Sequence, residues 1–185
     1  MSRARRLVVL AGPTAVGKGT IAAYVREHHP GVLVSVSATT RPPRPGEIDG
    51  VHYVFLTPEE FESREAAGEF LETAVVHGRA SYGTLRAPVA AALAEGRPVL
   101  LEIDLQGARQ VRTTMPDALF VFLEPPSWEE LVRRLVGRGT ESEEEREARL
   151  RTAVVELDAK AEFDVSIVND DVRRAAEELV SLIDP

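Results

Sequence analysis

Residues 12–20 read Gly-Pro-Thr-Ala-Val-Gly-Lys-Gly-Thr and directly follow a short apolar run, Leu7–Ala11. An apolar run, a glycine-rich loop and a helical segment in that order predict a strand that leads through a tight loop into a helix. Gly12 and Gly17 let the loop turn so that successive N–H groups point into one concavity, which suits phosphate oxygens. Lys18, at the start of the helix, would reach the outer phosphates of a nucleoside triphosphate. The stretch therefore predicts a phosphate-binding loop.

This loop departs from the usual pattern at one position. Ser or Thr ordinarily follows the lysine and binds Mg²⁺ through its hydroxyl, whereas Gly19 stands there in this chain and Thr20 comes one place later. Thr20 lies about 100° further round the helix axis, so its hydroxyl is not expected to substitute. Mg²⁺ commonly keeps several waters and is bound largely through substrate phosphates. We therefore expect Mg²⁺ to bind together with the nucleotide, with no direct protein ligand.

Composition limits the classes to which the chain can belong. With 185 residues, of which 44% are hydrophobic, it can bury one full core as a single domain. The net charge of −8 provides no general basic field, so no nucleic-acid partner is expected. The chain has no cysteine, and its N-terminal apolar run is too short for a signal peptide or a membrane span. We therefore expect a cytoplasmic protein without a membrane partner.

Strand-like and helix-like segments alternate along the rest of the chain. Short β-branched or apolar runs predict strands at 32–37, 51–56, 70–76, 99–103, 119–123 and 165–168. Helices are predicted from Thr57, which begins a capping signature, at 86–95, near 109, at 127–138, up to about 161 and at 173–182. Trp128 is expected to be a core residue. The alternation predicts an α/β fold with a parallel sheet and helices on both faces.

The alternation breaks between residues 37 and 84, where polar and aromatic side chains concentrate. Arg41 and Arg44 stand three apart on a proline-stiffened loop, and such a pair can clamp a phosphate at reduced ordering cost. The hydroxyls of Tyr53 and Tyr82 could complete that site. The alternative is that both arginines are surface charges, but their position beside a phosphate loop favours the clamp.

The chain resembles the guanylate kinase family over nearly its whole length. The motifs that carry the resemblance follow in the family's order. They are Ser-Val-Ser-Ala-Thr-Thr-Arg-Pro-Pro-Arg-Pro-Gly-Glu (35–47), Asp-Gly-Val-His-Tyr-Val-Phe (49–55), Gly-Glu-Phe-Leu-Glu (68–72), Tyr-Gly-Thr (82–84), Leu-Glu-Ile-Asp-Leu-Gln-Gly (101–107) and Ile-Val-Asn-Asp (167–170). The resemblance implies a P-loop kinase fold with a small GMP-binding subdomain and a lid.

The resemblance also implies site residues. Those expected to bind ATP are Gly12, Pro13, Thr14, Ala15, Val16, Gly17, Lys18, Gly19, Thr20 and Asn169. The phosphate of GMP would be held by Arg41, Arg44, Tyr53 and Tyr82, and guanine would be recognised by Ser37, Glu72, Thr84 and Asp104. The catalytic residues would be Lys18, Arg134, Arg138 and Arg149.

The chemistry of guanine supports this assignment independently. Guanine presents N–H donors on one edge and the acceptors O6 and N7 on another, so its site needs a carboxylate and hydroxyls. Glu72 or Asp104, with Ser37 and Thr84, meets that demand, whereas adenine would leave the carboxylate facing an unprotonated nitrogen. Two alternatives stay open: Thr84 could cap the following helix, and Asp104 could orient a magnesium-bound water.

Phosphoryl transfer depends on positioning and charge neutralisation, and no general base is needed when the acceptor is already a phosphate oxygen. Lys18, the loop N–H groups, Mg²⁺ and the lid arginines would surround the transferred group. The alternative for Arg134 and Arg149 is pairing with glutamates of their own helices.

The division of the chain follows from these assignments. The expected core comprises 1–36, 91–137 and 151–185, with the GMP-binding subdomain at 37–90 and the lid at 138–150. The implied activity is ATP-dependent phosphorylation of GMP, and of dGMP, to the diphosphate, with Mg²⁺ as cofactor. The alternatives are a kinase for another phosphorylated small molecule, such as a ribose phosphate, and a non-catalytic peptide-binding module of the same fold. The sequence leaves a homo-oligomer open.

Overall fold

The computed structural model describes residues 7–76, 80–136 and 143–183. The strands are β1 (Leu7–Ala11), β2 (Leu33–Val34), β3 (Ser37–Thr39), β4 (Val54–Phe55), β5 (Phe70–Val76), β6 (Ala80–Leu85), β7 (Val99–Glu102), β8 (Leu119–Glu124) and β9 (Val165–Val168). The helices are α1 (Lys18–His28), α2 (Pro58–Ala66), α3 (Arg86–Ala94), α4 (Leu105–Thr114), α5 (Trp128–Val136), α6 (Glu143–Asp158) and α7 (Val172–Ile183), and a 3₁₀ turn spans Ala159–Glu162.

The larger sheet has the strand order β2-β7-β1-β8-β9, and its paired strands run parallel. Every residue of β1 is buried because both faces of the sheet are covered. Val8 and Leu10 pack with residues of α1 and α7 on one face, whereas Leu7 and Val9 pack with residues of α3 and α4 on the other. The prediction of a parallel sheet between two helical layers is therefore confirmed.

The smaller sheet has the order β4-β3-β6-β5 and is mostly antiparallel. Its own small core consists of Ala38, Phe61 and Phe70, with Phe61 supplied by α2. The sheet is joined to the larger one through β5 and α4, since the Gln110 side chain exchanges two hydrogen bonds with the Thr73 backbone at 3.1 and 2.7 Å. A cleft consequently opens between the two sheets.

Two predicted strands differ from the observed ones. The segment 32–37 is divided, because the chain leaves the larger sheet after Ser35 and enters the smaller sheet at Ser37. The segment 51–56 is reduced to β4, because Gly50 has a φ of +74° and the turn that follows it folds back onto Ile48. Strand β6 was not predicted, because its sequence, Ala-Ser-Tyr-Gly-Thr-Leu, has a glycine and polar residues where a strand usually has an apolar or β-branched run.

The expectation for Trp128 is wrong. The side chain is 39% exposed, and the buried stripe of α5 begins one turn later, at Leu131 and Leu135. These two leucines pack with Ala153 and so hold α6 against α5. None of the helices in the described part of the chain is long and apolar enough to cross a membrane.

The predicted capping signature at α2 is present as a reciprocal pair of hydrogen bonds. The Thr57 hydroxyl accepts from the Glu60 N–H at 3.2 Å, and the Glu60 carboxylate accepts from the Thr57 N–H at 2.8 Å. Pro58 follows as the first helical residue, where its missing N–H leaves no bond unmade.

Thr57→Ala is expected to lower the free energy of unfolding by about 1 kcal/mol, the usual effect of losing an N-cap side chain. Urea denaturation followed by circular dichroism measures this change. Thr57→Ser keeps the hydroxyl and serves as the control, with an expected change of less than about 0.5 kcal/mol. Equal destabilisation by both variants would show that the methyl group, not the cap, matters here.

Candidate active site

A cleft of about 290 Å³ lies between the two sheets, at the carboxyl edge of the larger one. It is lined by residues from the start of α1, from the end of β7 and from the smaller sheet. Among the predicted site residues, the lining includes Lys18, Gly19, Ser37, Tyr53, Glu72, Tyr82 and Asp104. The structure thus brings the end of the phosphate loop and three of the four predicted guanine-binding residues to one cavity, whereas Thr84 and loop residues 12–17 are not part of its lining.

The phosphate loop has two positions that accept only glycine. A Cβ atom on Gly12 would lie 2.4 Å from the Leu123 carbonyl oxygen, and one on Gly17 would lie 2.5 Å from Asn169 Nδ2. Gly17 also has a φ of +102°, and Ala15 adopts a φ of +66°, which is unusual for a residue with a side chain. These turns give the loop the concave backbone that the sequence predicted.

The carbonyl of Val16 anchors the loop to two other elements. It accepts hydrogen bonds from Asn169 Nδ2 at 2.8 Å and from Arg134 Nη1 at 3.2 Å. Asn169 is only 3% exposed, so its amide supports the loop from behind. Arg134 also donates to Glu130 on its own helix at 2.9 Å, so the helical pairing coexists with the loop contact.

The other two predicted lid arginines are Arg149 and Arg138. Arg149 lies on α6 and is partly exposed. Arg138 lies outside the described residues.

Lys18 folds back onto the loop that precedes it. Its ammonium donates to the carbonyls of Gly12 and Pro13, at 2.7 and 3.0 Å. Burial lowers the pKa of Lys18, and the negative charges of Glu102, Glu156 and Asp104 act against that shift. The ammonium is therefore hydrogen-bonded within the loop and is influenced by the negative charges of three carboxylates.

Glu102 is a site residue that the sequence analysis did not select. It ends β7, lines the cleft, and has a pKa raised by burial, against which the charges of Lys18 and Arg26 act. A Cβ atom on Gly19 would lie 3.7 Å from Glu102 Oε1, so this carboxylate borders the space that the usual hydroxyl would fill. The sequence could have indicated Glu102, because it is an acidic residue at the end of an otherwise apolar run.

The residues around Gly19 fit a metal ion that takes most of its ligands from phosphate and water. Within 7–76, 80–136 and 143–183, no three His, Cys, Asp or Glu residues are grouped closely enough to hold a metal. Oxygen ligands are nevertheless at hand in Glu102 and Asp104, both of which line the cleft. Such a donor set suits Mg²⁺, which prefers oxygen and is commonly bound through one or two carboxylates together with substrate phosphates.

Three of the four predicted guanine-binding residues lie on neighbouring strands of the smaller sheet, and the fourth, Asp104, precedes α4. Thr84 on β6 is paired in register with Ser37 on one side and with Glu72 on the other. The buried Thr84 hydroxyl donates to Glu72 Oε1 at 2.7 Å. The alternative role of Thr84 as a helix cap is not observed, because Leu85 occupies the N-cap position of α3.

Glu72 is a buried carboxyl group, only 5% exposed. Burial raises its pKa to about 7, Asp104 adds to the rise, and the hydrogen bond from Thr84 opposes it. Asp104 also caps α4, where it accepts from the Gly107 N–H at 2.7 Å. A Cβ atom on Gly107 would lie 2.6 Å from Glu72 Oε2, so the absence of a side chain there makes room for the carboxyl group.

The predicted phosphate clamp is centred on Arg41. Its guanidinium forms a bidentate ion pair with Glu47, with both bonds at 2.9 Å, and this pairing lowers the pKa of Glu47 to about 2. Glu47 also accepts from the Arg44 N–H at 2.7 Å and thereby holds the loop in a tight turn. The Arg44 residue is exposed. Glu47 was not selected from the sequence, although it ends the proline-rich motif.

The two predicted tyrosines stand beside Arg41. The Arg41 guanidinium lies 5.2 Å from the centre of the Tyr53 ring, within cation–π range. The Tyr53 and Tyr82 rings meet edge to face at 6.0 Å. Hydrogen bonding to Glu47, and also to Tyr82, raises the pKa of Arg41. Arg41, Tyr53 and Tyr82 therefore form one cluster, as an anion site requires.

A phosphate loop at the carboxyl edge of a parallel sheet, with a cluster of one arginine and two tyrosines on the smaller sheet and its loops across the cleft, defines a P-loop kinase fold.

Comparison with known proteins identifies the family. The guanylate kinase family model matches residues 4–185. The chain is 62% identical to the guanylate kinase of Bifidobacterium longum (strain NCC 2705), covering 98% of this chain and 95% of that protein. It is also 62% identical to the guanylate kinase of Leifsonia xyli subsp. xyli (strain CTCB07), covering 98% of this chain and 71% of that protein.

A solved structure agrees with these matches. The crystal structure of guanylate kinase from Anaplasma phagocytophilum superimposes with a TM-score of 0.77 at 32% identity, covering 96% of this chain and 83% of that one. The chain belongs to the guanylate kinase family.

Glu72→Gln is expected to stabilise the fold at high pH. The folded protein holds the Glu72 proton up to about pH 7, whereas an unfolded chain releases it near pH 4.5, so stability falls as pH rises between the two values. The penalty reaches about 3 kcal/mol above pH 7, at about 1.4 kcal/mol for each pH unit between the two pKa values. Glutamine carries no charge and avoids this penalty.

Urea denaturation at pH 5 and pH 8 tests this prediction. The variant should exceed the wild type in free energy of unfolding at pH 8, and most of the difference should disappear at pH 5. Glu62→Gln, at an exposed position of α2, is the matched control and should show no such pH dependence. A Glu72→Gln variant less stable than the wild type at both pH values would contradict the buried, penalised carboxylate.

Proposed function

We propose that this protein transfers the γ-phosphoryl group of ATP to the phosphate of GMP, giving ADP and GDP. The observation that carries the proposal is the buried Glu72 carboxyl group, which accepts a hydrogen bond from the Thr84 hydroxyl and lines the same cleft as Lys18 at the end of the phosphate loop. A buried carboxylate next to hydroxyl groups complements the donors and acceptors of guanine. Because this carboxylate lies in the cleft, GMP bound to it would have its phosphate near the ATP-binding loop.

Recognition of guanine rests on Glu72 in its ionised form. The carboxylate accepts from the N–H groups on the Watson–Crick edge of guanine, while the Thr84 hydroxyl holds Oε1 in place. Ser37 lies on the adjacent strand, opposite Thr84, and in this proposal it contacts the acceptor edge of the base. Adenine has no hydrogen on N1, so it would leave a buried carboxylate without its donor, which is strongly unfavourable.

The GMP phosphate is held by Arg41, Arg44, Tyr53 and Tyr82 in this proposal. The guanidinium of Arg41 is already oriented by Glu47 and by the tyrosine rings, so little ordering remains to be done when a phosphate arrives. Arg44, which is exposed, can swing toward the same phosphate.

Transfer itself needs positive charge around the moving group. The N–H groups of the loop and the Lys18 ammonium contact the ATP phosphates, and Arg134, Arg138 and Arg149 contribute further charge from α5, the following segment and α6. Mg²⁺ supplies charge neutralisation when it is bound with ATP, with Glu102 and Asp104 as the nearby oxygen donors. The acceptor is a phosphate oxygen, so no side chain needs to act as a base.

The assay that tests the proposal measures ADP formation by the purified protein with ATP and Mg²⁺ across GMP, dGMP, AMP and ribose 5-phosphate. GMP is expected to exceed AMP by at least about a hundredfold in kcat/KM, because the site hydrogen-bonds groups that adenine lacks. The dGMP acceptor is expected to react, since no proposed contact uses the 2′-hydroxyl. Comparable rates with AMP or ribose 5-phosphate would contradict the proposal.

Glu72→Gln should lower kcat/KM for GMP by roughly tenfold or more, because it places an amide donor against the donors of guanine. The KM for ATP should stay within about twofold of the wild type, since Glu72 takes no part in ATP binding in this account. Glu62→Gln again serves as the control. Unchanged kcat/KM for GMP in Glu72→Gln would place base recognition elsewhere.

Gly19→Ser should lower the Mg²⁺ concentration needed for the half-maximal rate at saturating ATP. The new side chain fits, since its Cβ would stand 3.7 Å from Glu102, and its hydroxyl restores the usual metal ligand. Gly19→Ala adds the same Cβ without the hydroxyl and should leave the requirement unchanged. An unchanged requirement in Gly19→Ser, with a sharp rise in Thr20→Ala, would identify Thr20 as the ligand.

A further inference from the structure

A carboxylate of the protein already occupies part of the phosphate loop. The backbone N–H of Thr14 donates a hydrogen bond of 2.8 Å to Oε2 of Glu156. Thr14 belongs to the loop that follows β1, whereas Glu156 belongs to α6, near the other end of the chain. This contact joins α6 directly to the predicted ATP site.

The position of the Glu156 carboxylate is one that attracts anions. The loop around Thr14 turns through Ala15 and Gly17, both with positive φ, and this geometry exposes backbone N–H groups on a concave side. The charge of Glu156 also acts on the ammonium of Lys18, where it opposes the pKa-lowering effect of burial. The carboxylate therefore shares the same electrostatic environment as the phosphates that the loop is expected to bind.

Helix α6 is held so that Glu156 reaches the loop. Ala153, three residues before Glu156, is fully buried against Leu131 and Leu135 of α5. Helix α5 contacts the same loop through Arg134, which donates to the Val16 carbonyl at 3.2 Å. Helix α5 thus contacts a carbonyl of the loop through the Arg134 guanidinium, and α6 contacts an N–H of the loop through the Glu156 carboxylate.

We propose that Glu156 is a stand-in for a phosphate oxygen: it caps the Thr14 N–H in the ATP-free enzyme and is displaced when the triphosphate binds. The inference rests on the proposed function, because it assumes that ATP binds at this loop. A carboxylate oxygen and a phosphate oxygen carry the same sign of charge and accept the same N–H, so the two compete for one position.

Displacement of Glu156 has a consequence for α6. Arg149 and Glu156 are separated by about two turns of the helix and so lie on the same face. Release of Glu156 removes the hydrogen bond between this face of α6 and the loop, so α6 can shift relative to the loop as ATP binds. Glu156 is in this sense a positioning residue, because it acts on α6 and the loop and takes no part in the transfer itself.

The alternative is that Glu156 caps Thr14 permanently, in the ATP-bound enzyme as well. The two roles make opposite predictions for a ligand that carries only the triphosphate chemistry. If Glu156 competes with phosphate, its removal strengthens binding, since a ligand no longer has to displace a like charge. If Glu156 is a permanent cap, its removal leaves the Thr14 N–H unpaired and weakens binding.

Isothermal titration of the full-length protein with a non-hydrolysable ATP analogue, without GMP, distinguishes the two roles. Glu156→Gln and Glu156→Ala should each bind the analogue about fivefold more tightly than the wild type, as expected for the loss of one competing partly buried charge. Inorganic tripolyphosphate should show the same gain, because the competition concerns phosphate and not adenine. Glu147→Gln removes one charge from an exposed position of α6 and should change the affinity by less than about twofold.

Hydrogen exchange of α6 gives a second readout that a merely structural role would not produce. In the wild type, exchange across the last turns of α6 should rise when the analogue binds. In Glu156→Gln, exchange should be high already without ligand and should change little on binding.

Weaker binding by Glu156→Ala, or affinities equal to the wild type in both Glu156 variants, would overturn the inference while leaving the proposed function intact. Failure of the wild type to bind the analogue at all would overturn both.

Discussion

The tight fit of the phosphate loop against its neighbours is the constraint on which the site depends. Gly12 lies against the Leu123 carbonyl and Gly17 lies against the Asn169 amide, with no room for a Cβ atom at either position. Leu123 lies on β8 and Asn169 directly follows β9, and both strands belong to the larger sheet, whose buried side chains hold them in register. The loop therefore has a defined backbone before any ligand binds, which reduces the ordering that binding requires.

The second constraint is electrostatic. The protein has a net charge of −8 and yet binds two anionic nucleotides in the proposed function. Its cationic side chains must therefore be concentrated at the site, and they need partners while no nucleotide is bound. Three of these cations lie near carboxylates in the structure: Arg41 and Arg134 donate hydrogen bonds to Glu47 and Glu130, and the charge of Glu102 acts on Lys18. In the proposed function, incoming phosphates would replace these partners, so the cations are oriented before a nucleotide binds.

Burial of Glu72 shows the opposite arrangement, in which the protein loses stability at a residue that the proposed function assigns to guanine recognition. The raised pKa of this carboxyl group means that the folded state is penalised when the group ionises. An apolar residue of similar size would avoid the penalty but could not accept the N–H groups of guanine. Functional sites commonly retain such destabilising groups for this reason.

The parts of the structure that were predictable from the sequence are those with local physical causes. The phosphate loop, the buried strands β1 and β7 and the capped start of α2 each follow from a pattern within a few residues. The division of segment 32–37 between two sheets, and strand β6 with its polar face, depend on which distant strand pairs with them. No local pattern records that pairing.

The site residues also differ in how far the sequence could predict them. Lys18 and the cluster of Arg41, Tyr53 and Tyr82 could be selected because residue type and spacing suggest phosphate chemistry. Glu47 and Glu102 were missed because acids near an anion site look unsuitable until their cationic partners are seen in space. The contact of Asn169 with the back of the loop needed the fold, because Asn169 and Val16 lie on opposite ends of the chain.

The central claim is that one cleft joins an ATP-binding loop to a guanine-specific acceptor site. Equilibrium binding of a bisubstrate analogue, in which adenosine and guanosine are linked through five phosphates, tests it most directly against the analogue that carries two adenosines. The account predicts that the mixed analogue binds at least about tenfold more tightly, because only guanine satisfies the buried Glu72 carboxylate. Equal affinity for the two analogues would contradict it.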